Sequence, residues 1–217
     1  MTLESWNRDP PPGFQGLRDD LPLTSYFRRL PHWRQDGATY FVTFRLADSL
    51  PQAKLRELKF FRSEFAPRHR IKTTNWKRHW EQLKAQVPRA EWDAFCRTQM
   101  ERVERWLDQG MGECYLKRSA VGQIVIDAMH HFDEERYELG CYVVMPNHVQ
   151  LLIRPLQPET DPLERILQSM KRHMSLEINV LLKLRGTLWQ EESFDRIVRD
   201  EVHLYRCVQY VGNNARR

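Results

Sequence analysis

The sequence predicts an α+β domain built around an antiparallel sheet. Residues 38–46 (ATYFVTFRL) are rich in β-branched and aromatic side chains that alternate with smaller ones, which indicates a strand. Residues 137–145 and 148–154 form two further strand-like runs, and the intervening Pro146-Asn147 indicates a tight turn that pairs them antiparallel. The other long segments have helical periodicity. The order of one strand, helices, a strand pair and more helices is typical of α+β folds.

Apolar residues at helical spacing predict five helical stretches. They begin at Pro51, near Thr74, at Ser119, at Asp161 and at Asp200. The second is interrupted near Pro88 and stops at Gly110, and we interpret residues 51–115 as a helical insertion. Ser119 is the expected N-cap of the third stretch, which runs to about Phe132. The fourth runs to about Leu184 with a buried stripe of Leu163, Ile166, Leu167, Met170, Met174 and Ile178. The last runs to about Gly212.

The chain length of 217 residues suits one domain with appendages. Residues 1–22 are proline-rich and polar, so we expect a flexible N-terminal arm followed by one domain over residues 23–217.

Composition excludes several protein classes. Hydrophobic residues make up 41% of the chain, too many for a disordered protein. The sequence has no apolar run long enough to span a membrane and no secretory signal at its start. The four cysteines are scattered, which disfavours a zinc ribbon and a disulfide framework. We therefore expect a cytoplasmic protein with reduced thiols.

Positive charge is concentrated between Arg28 and Lys84, a segment that contains fourteen Lys/Arg residues and five Asp/Glu residues. Tryptophan and histidine are interleaved with it, as in the run 75–80 (NWKRHW) that contains Lys77 and Arg78. Basic and aromatic residues together suit a phosphate backbone with stacked bases. A solvated helix face whose tryptophans point into the core accounts for this segment equally well.

Two polar side chains share one face of the third predicted strand. Because side chains alternate along a strand, His148 and Gln150 face one side and Val149 faces the other. An imidazole nitrogen and an amide oxygen together suit a divalent ion such as Mg²⁺ or Mn²⁺. The alternative is a hydrogen-bonded histidine at the start of a strand.

The last predicted helix carries Tyr210 with Arg206 one turn before it and Asn214 one turn after it. A phenol is a weak nucleophile at its usual pKa, so it needs a cation nearby, and Arg206 supplies positive charge. Asn214 offers a third oxygen ligand for a metal. The alternative is an ordinary half-buried helix tyrosine. Tyr205 is the rival nucleophile, but it projects to another side of the helix.

At these residues the chain resembles the REP-associated tyrosine transposases, within the single-tyrosine HUH transposases. The matching segments span roughly residues 24 to 217. They are 30–33 (LPHW) with 38–44 (ATYFVTF), 142–148 (YVVMPNH), 188–190 (LWQ) with 193–200 (SFDRIVRD), and 210–214 (YVGNN).

The resemblance implies a ferredoxin-like antiparallel sheet with flanking helices, the HUH nuclease fold, and cleavage of single-stranded DNA that requires Mg²⁺ or Mn²⁺. It also implies a substrate of hairpin-forming palindromic repeats and a covalent 5′-phosphotyrosine. Carried over to this sequence, it makes Tyr210 the nucleophile, His148 the first metal ligand and Asn214 a further ligand. The positive side chains that we expect to contact the DNA are Lys77, Arg78, Lys171, Arg172 and Arg206. We expect a cytoplasmic, nucleoid-associated bacterial protein, either a monomer or a homodimer.

The sequence departs from the family at Gln150, where its members carry a second histidine, and in its short tail after Asn214. Two other functions therefore stay open. One is a hairpin-binding protein that has lost cleavage, and the other is a structural protein of the same fold with an unrelated partner. His173 is expected at the surface or on a phosphate, and His130 and His131 on a helix surface.

Overall fold

The computed structural model describes residues 6–27, 31–69 and 86–215. Seven strands are present in this part of the chain: β1 (Trp6–Asn7), β2 (Thr24–Phe27), β3 (Pro31–Arg34), β4 (Tyr40–Arg45), β5 (Tyr137–Val144), β6 (His148–Pro155) and β7 (Phe194–Ile197). The helices are α1 (Gln52–Arg68), α2 (Arg89–Asp108), α3 (Ser119–His130), α4 (Leu163–Leu182) and α5 (Glu201–Asn214), with a short 3-10 turn at Tyr115–Lys117.

The main sheet has five strands in the order β1-β5-β6-β4-β7, and every neighbouring pair is antiparallel. The predicted α+β class with an antiparallel sheet is therefore confirmed. Without β1 and the two helices that follow β4, the chain runs β4-α3-β5-β6-α4-β7, a strand–helix–strand–strand–helix–strand order. This is the element order of ferredoxin-like folds. A separate β2–β3 hairpin precedes it.

The two faces of the sheet are covered by different helices. On one face, α3 and α4 pack on side chains such as Val42 and Leu151, and the whole predicted stripe of α4 is buried there. On the other face, α5 packs through Cys207 and Val211 on a smaller cluster that includes Phe41. Because side chains alternate along a strand, adjacent residues of β4 and β6 face different helices.

A bulge in β5 changes which side chains face α5. Leu139 pairs with Ile153, whereas Tyr142 pairs with Leu151, so β5 has one extra residue between these pairs. As a result Tyr142 faces the larger core beside α3, and Val143 faces the α5 side.

The described part of the N-terminal segment, residues 6–22, is attached to the sheet, which corrects the expected flexible arm. Trp6 pairs with Val143 as an edge strand. The ring of Pro11 approaches Gly140 so closely that a Cβ there would lie 2.4 Å from it. The Gly13 N–H donates to Glu138 Oε2 at 2.7 Å. Proline and glycine in this segment serve close packing on the bulged strand.

A buried ionic network joins the β2–β3 hairpin to β7. His32 Nδ1 contacts Asp195 Oδ1 at 2.6 Å, and both side chains are buried. Arg34 contacts the other oxygen of Asp195 and also Glu164 of α4, at 2.6 Å from its Nε. The hydroxyl of Tyr26 also bonds to Glu164. The hairpin is therefore held by charges as well as by apolar contacts.

The helices differ in detail from the prediction. Arg118 occupies the N-cap position of α3, and Ser119 is the first helical residue, so the expected Ser119 cap is wrong. α1 and α2 lie within the predicted helical insertion, and α2 begins directly after Pro88. The first part of the stretch that we expected from about Thr74 to Gly110 lies outside the described residues, and its part after Pro88 is α2.

Candidate functional site

Strand β6 presents His148 and Gln150 on the face that α5 covers, as predicted. Val149 and Leu151 point into the core beneath α3 and α4. Both polar side chains are buried, each with 1% of its surface exposed. Burial on a rigid strand fixes their positions, so they form a preorganised polar pair beneath the last helix.

Asn147 determines which nitrogen of His148 faces the site. Its Nδ2 donates to the carbonyl oxygens of Leu107 and Met111, at 3.2 and 3.0 Å. Its Oδ1 therefore points to His148 Nδ1, 2.8 Å away, and can only accept a hydrogen bond. His148 must carry its proton on Nδ1, which leaves the lone pair of Nε2 directed into the site.

Burial and a neighbouring cation keep His148 neutral. Burial is the main cause that lowers the pKa of His148 to about 3, and the positive charge of Arg45 adds to it. Arg45 is the direct cross-strand partner of His148. Its own pKa is lowered to about 10 by burial, and its guanidinium donates to Ser49 Oγ at 3.0 Å. A neutral imidazole with a free lone pair is the form that binds metals.

The amide of Gln150 joins the strand to the last helix. Its Nε2 donates to His148 Nε2 at 3.3 Å and to the Tyr210 hydroxyl at 3.4 Å. Its Oε1 accepts from Asn214 Nδ2 at 2.9 Å. The Gln150 amide nitrogen therefore contacts both the imidazole of His148 and the phenol of Tyr210. The four residues that the sequence singled out for chemistry, His148, Gln150, Tyr210 and Asn214, are brought together.

Tyr210 is a half-buried side chain next to a carboxylate. Its ring meets Phe41 edge-on, with the centroids 6.0 Å apart. Burial is the largest cause that raises the pKa of Tyr210 to about 12, followed by the negative charge of Glu104. Glu104 comes from α2, and its carboxylate acts on Tyr210 through its charge; burial raises the pKa of Glu104 above the usual value. Tyr210 is thus a neutral phenol with a proton acceptor beside it.

The rival nucleophile lies elsewhere. Tyr205 is 65% exposed and points away from the sheet. Arg206 is also exposed on α5. The side chain of Asp200 accepts from the His203 N–H at 2.7 Å and caps this helix, which fixes where Tyr210 falls.

The three described residues that we expected to contact DNA are not gathered on one surface. Lys171 is largely buried on α4, and its Nζ donates to the carbonyl oxygens of Gln190 and Glu191 at 2.6 and 3.0 Å. Its position therefore favours a structural role, since it ties α4 to the loop before β7. Arg172 is exposed on α4 and Arg206 on α5, on opposite faces of the sheet. Lys77 and Arg78 lie outside the described residues.

The donor set of this site fits a divalent ion once the amides of Gln150 and Asn214 turn. Within the described residues, no group of three or more His, Cys, Asp or Glu side chains gathers as a metal site. The donors here are instead one imidazole and two amides. The nitrogen of Gln150, not its oxygen, faces His148. Turning this amide by half a turn would direct Oε1 to the same place and Nε2 to Asn214, whose own amide can turn to accept it.

Sequence reasoning missed three residues that shape the site. Asn147 lies inside a motif that was recognised, but its role depends on bonds to the distant loop at 107–111. Arg45 ends the first predicted strand, and the pairing register that puts it opposite His148 was unknown. Glu104 gave no signal, since it is one of many charged residues in the predicted insertion.

The chain has few detectable relatives among the proteins with which it was compared. No protein-family model and no curated protein matches the chain. One similar solved structure is a REP-associated tyrosine transposase bound to a REP hairpin, with 14% identity over 88% of this chain and 72% of that chain, and a TM-score of 0.40. We draw no functional conclusion from a likeness of this size. In the described parts of the chain, no helix has the length and apolar character needed to cross a membrane.

Proposed function

We propose that this protein cuts and rejoins single-stranded DNA through a covalent 5′-phosphotyrosine at Tyr210, as an HUH-type tyrosine transposase. The observation that carries the proposal is the contact of one amide nitrogen, Gln150 Nε2, with both His148 Nε2 and the Tyr210 hydroxyl, at 3.3 and 3.4 Å. A buried phenol beside a neutral imidazole whose Nε2 is unprotonated suits metal-assisted attack on phosphorus.

The residues around Tyr210 define a balanced reaction. Its hydroxyl proton passes to the Glu104 carboxylate, the charged group that acts most strongly on it. The phenolic oxygen then attacks the phosphorus, the bond from phosphorus to O3′ breaks, and O3′ takes up a proton from water to leave a 3′-hydroxyl. For rejoining, a 3′-hydroxyl gives its proton to water and attacks the phosphotyrosine, the bond from phosphorus to the phenolic oxygen breaks, and Tyr210 regains its proton from Glu104. Arg45, buried on the same face, favours the anionic phosphate.

His148, Gln150 and Asn214 would hold the divalent ion, Mg²⁺ or Mn²⁺. When bound, it neutralises charge on the phosphate and makes the phosphorus easier to attack. Asn147 holds the imidazole in the tautomer that this requires, and Gln150 supplies its amide oxygen after the half-turn described above.

The substrate that we propose is a single strand with a hairpin formed by a palindromic repeat. It is supported by the sequence resemblance to REP-associated tyrosine transposases and by the excess of positive charge between Arg28 and Lys84. A cytoplasmic, nucleoid-associated location follows from such a substrate. Monomer and homodimer are both compatible with a site built from one chain.

Labelled hairpin oligonucleotides with single-stranded flanks test this function. The purified chain with Mn²⁺ should convert part of the label into a species that survives denaturation and disappears after protease treatment. Chelation of the metal should prevent its formation. A library of hairpin sequences that yields no protein-linked DNA under these conditions would refute the proposal.

A second function is supported by the orientation of Gln150, whose amide nitrogen faces the imidazole where the family has a second histidine. The protein would then bind hairpins without cutting them. A Gln150→His variant decides between the two functions. Cutting that appears only in this variant identifies a binding protein that has lost catalysis, whereas cutting by the unchanged chain excludes it.

A further inference from the structure

A cavity of about 290 Å³ lies between helices α1 and α2 and the α5-facing side of β4 and β7. Its size is near the lower end of the range for small-molecule pockets, about 300–1,000 Å³. Thr43 and Arg45 of β4 line it, and their cross-strand partners are Gln150 and His148. Glu104 lines it as well and contacts Tyr210. The cavity therefore adjoins the site where the phosphate is expected to react.

Two buried polar side chains in this cavity have no hydrogen-bond partner in the described structure. Neither the nitrogen nor the oxygen of the Gln99 amide is bonded, although only 8% of the residue is exposed. The Thr43 hydroxyl is likewise unpaired, with 6% of the residue exposed. Buried polar groups are rarely left without a partner, so an unpaired amide indicates that something absent from the protein chain satisfies it.

The remaining lining is mostly aliphatic and also carries aromatic rings and charges of both signs, the negative ones from Glu104 and Glu192. Trp92 and Phe95 of α2 and Phe194 of β7 offer ring surfaces. Arg45 and Arg62 bring two guanidinium groups to the same cavity. Burial lowers the pKa of both arginines, which reflects positive charge held away from water. Rings, an unpaired amide and desolvated cations together suit a flat, hydrogen-bonding ligand that carries phosphate.

We infer that this cavity takes one unpaired nucleobase of the single strand, with its edge on the Gln99 amide and its phosphate near Arg45. A side-chain amide presents a donor and an acceptor side by side, which matches the N6 and N7 edge of adenine. Unpaired pyrimidines also offer a donor beside an acceptor, so the preference rests on the rings: the two-ring face of adenine covers the aromatic lining better than a pyrimidine does, and we take adenine as the base. The site rests on the proposed function, and it assigns to the helical insertion the recognition of a base beside the reacting phosphate.

The test compares binding of fluorescein-labelled all-dA and all-dC eight-nucleotide strands to the full chain at one salt concentration. Gln99→Leu keeps the size of the side chain and removes an unpaired amide, so it should fold normally. The matched control is Gln123→Leu, an exposed glutamine on α3 across the sheet. We expect the unchanged chain and the control to favour the dA strand, and Gln99→Leu to lose about tenfold in dA affinity while its dC affinity stays the same.

The outcomes separate this inference from the proposed function. A Gln99→Leu protein that is more stable but has the same ratio of dA to dC affinity would mean that the cavity holds only water, and the inference fails. Equal loss of both affinities would also overturn it, since no base is then read. Because binding is measured without cleavage, a Gln99-dependent preference for dA upholds the cavity even where no covalent product forms. If the covalent product forms without that preference, the proposed function stands and the assignment of the cavity as a base-binding site is refuted.

Discussion

At the scale of single residues, the site depends on hydrogen bonds whose direction is fixed by neighbours. Both N–H groups of Asn147 donate to backbone carbonyls, so His148 must donate from Nδ1 and keep Nε2 unprotonated, where it accepts from Gln150. The sequence predicted His148 and Gln150 because alternation along a strand needs no knowledge of other elements. It could not predict Asn147's role or Glu104, because both depend on how α2 and the loop after it pack.

Glu104 has two opposed effects on Tyr210, and the variant Glu104→Gln separates them. Its negative charge raises the pKa of Tyr210, so removing it should lower that pKa below the value of about 12. Glu104 is also the proposed acceptor of the phenolic proton, so single-turnover cleavage should fall by about 10²–10⁴-fold. Isotope-labelled tyrosine NMR measures the pKa, and denaturing gels measure cleavage.

The control for this variant is Glu101→Gln, an exposed glutamate one turn earlier on α2. Glu101→Gln should leave the single-turnover cleavage rate and the pKa of Tyr210 nearly unchanged. Faster cleavage by Glu104→Gln would mean that the carboxylate only opposes ionisation of the phenol, and its role as a base would be rejected.

At the scale of elements, the strands and helices with long periodic patterns were predictable and the short edge elements were not. β4, β5, β6, α4 and α5 match predicted segments to within about two residues at each end, because each has a long apolar pattern. β1 has two residues and β7 has four, which is too short for a strand to be recognised from alternating polar and apolar side chains. The motif fragments 31–34 and 194–197 are strands joined by the His32–Asp195 contact, so part of the family-like pattern has a structural explanation.

Removing the charge of Asp195 should strongly destabilise the protein. Burial alone would raise the pKa of Asp195, but the hydrogen bond with His32 and the charge of Arg34 outweigh it, and the pKa lies below the usual 3.8. Asp195→Asn leaves a buried arginine with less compensation, which costs about 3–5 kcal/mol in comparable pairs. Urea unfolding at neutral pH measures this loss.

The dependence on pH follows from the lowered pKa of Asp195. A carboxylate whose folded-state pKa is depressed contributes its full stability above the unfolded-state value, and loses it as the pH falls through the folded-state value. The difference between the unchanged chain and Asp195→Asn should therefore shrink below about pH 4. Asp20→Asn, at an exposed surface pair with Arg18, should produce no measurable change at any pH. A difference that grows in acid would contradict the assignment.

At the scale of the whole molecule, the sheet separates a packing face from a chemical face. α3 and α4 cover the large apolar core, whereas α5 covers His148 and Gln150, and α2 borders the cavity lined by Gln99. The predicted insertion therefore contributes side chains to the site. The basic segment seen in the sequence falls partly in residues 70–85, outside the described structure, so its contribution to binding rests on charge alone.

Binding of the hairpin strand should weaken steeply as salt increases, because contacts to phosphates release counterions. Arg206→Ala, one turn from Tyr210, should lower the slope of log affinity against log salt by about 1. Arg18→Ala is the control, since this exposed arginine is paired with Asp20. Fluorescence anisotropy at several salt concentrations provides both slopes. An unchanged slope for Arg206→Ala would remove this residue from the DNA contact surface.

The most direct test is to locate the covalent bond in the protein. The two tyrosines of α5 form a natural comparison, because Tyr210 contacts Gln150 and Tyr205 is exposed. With Mn²⁺ and a hairpin strand, mass spectrometry of digested adducts should find the nucleotide on Tyr210. Tyr210→Phe should abolish the adduct while hairpin binding persists, and Tyr205→Phe should form it normally. A nucleotide found on Tyr205, or an adduct that persists in Tyr210→Phe, would contradict the account.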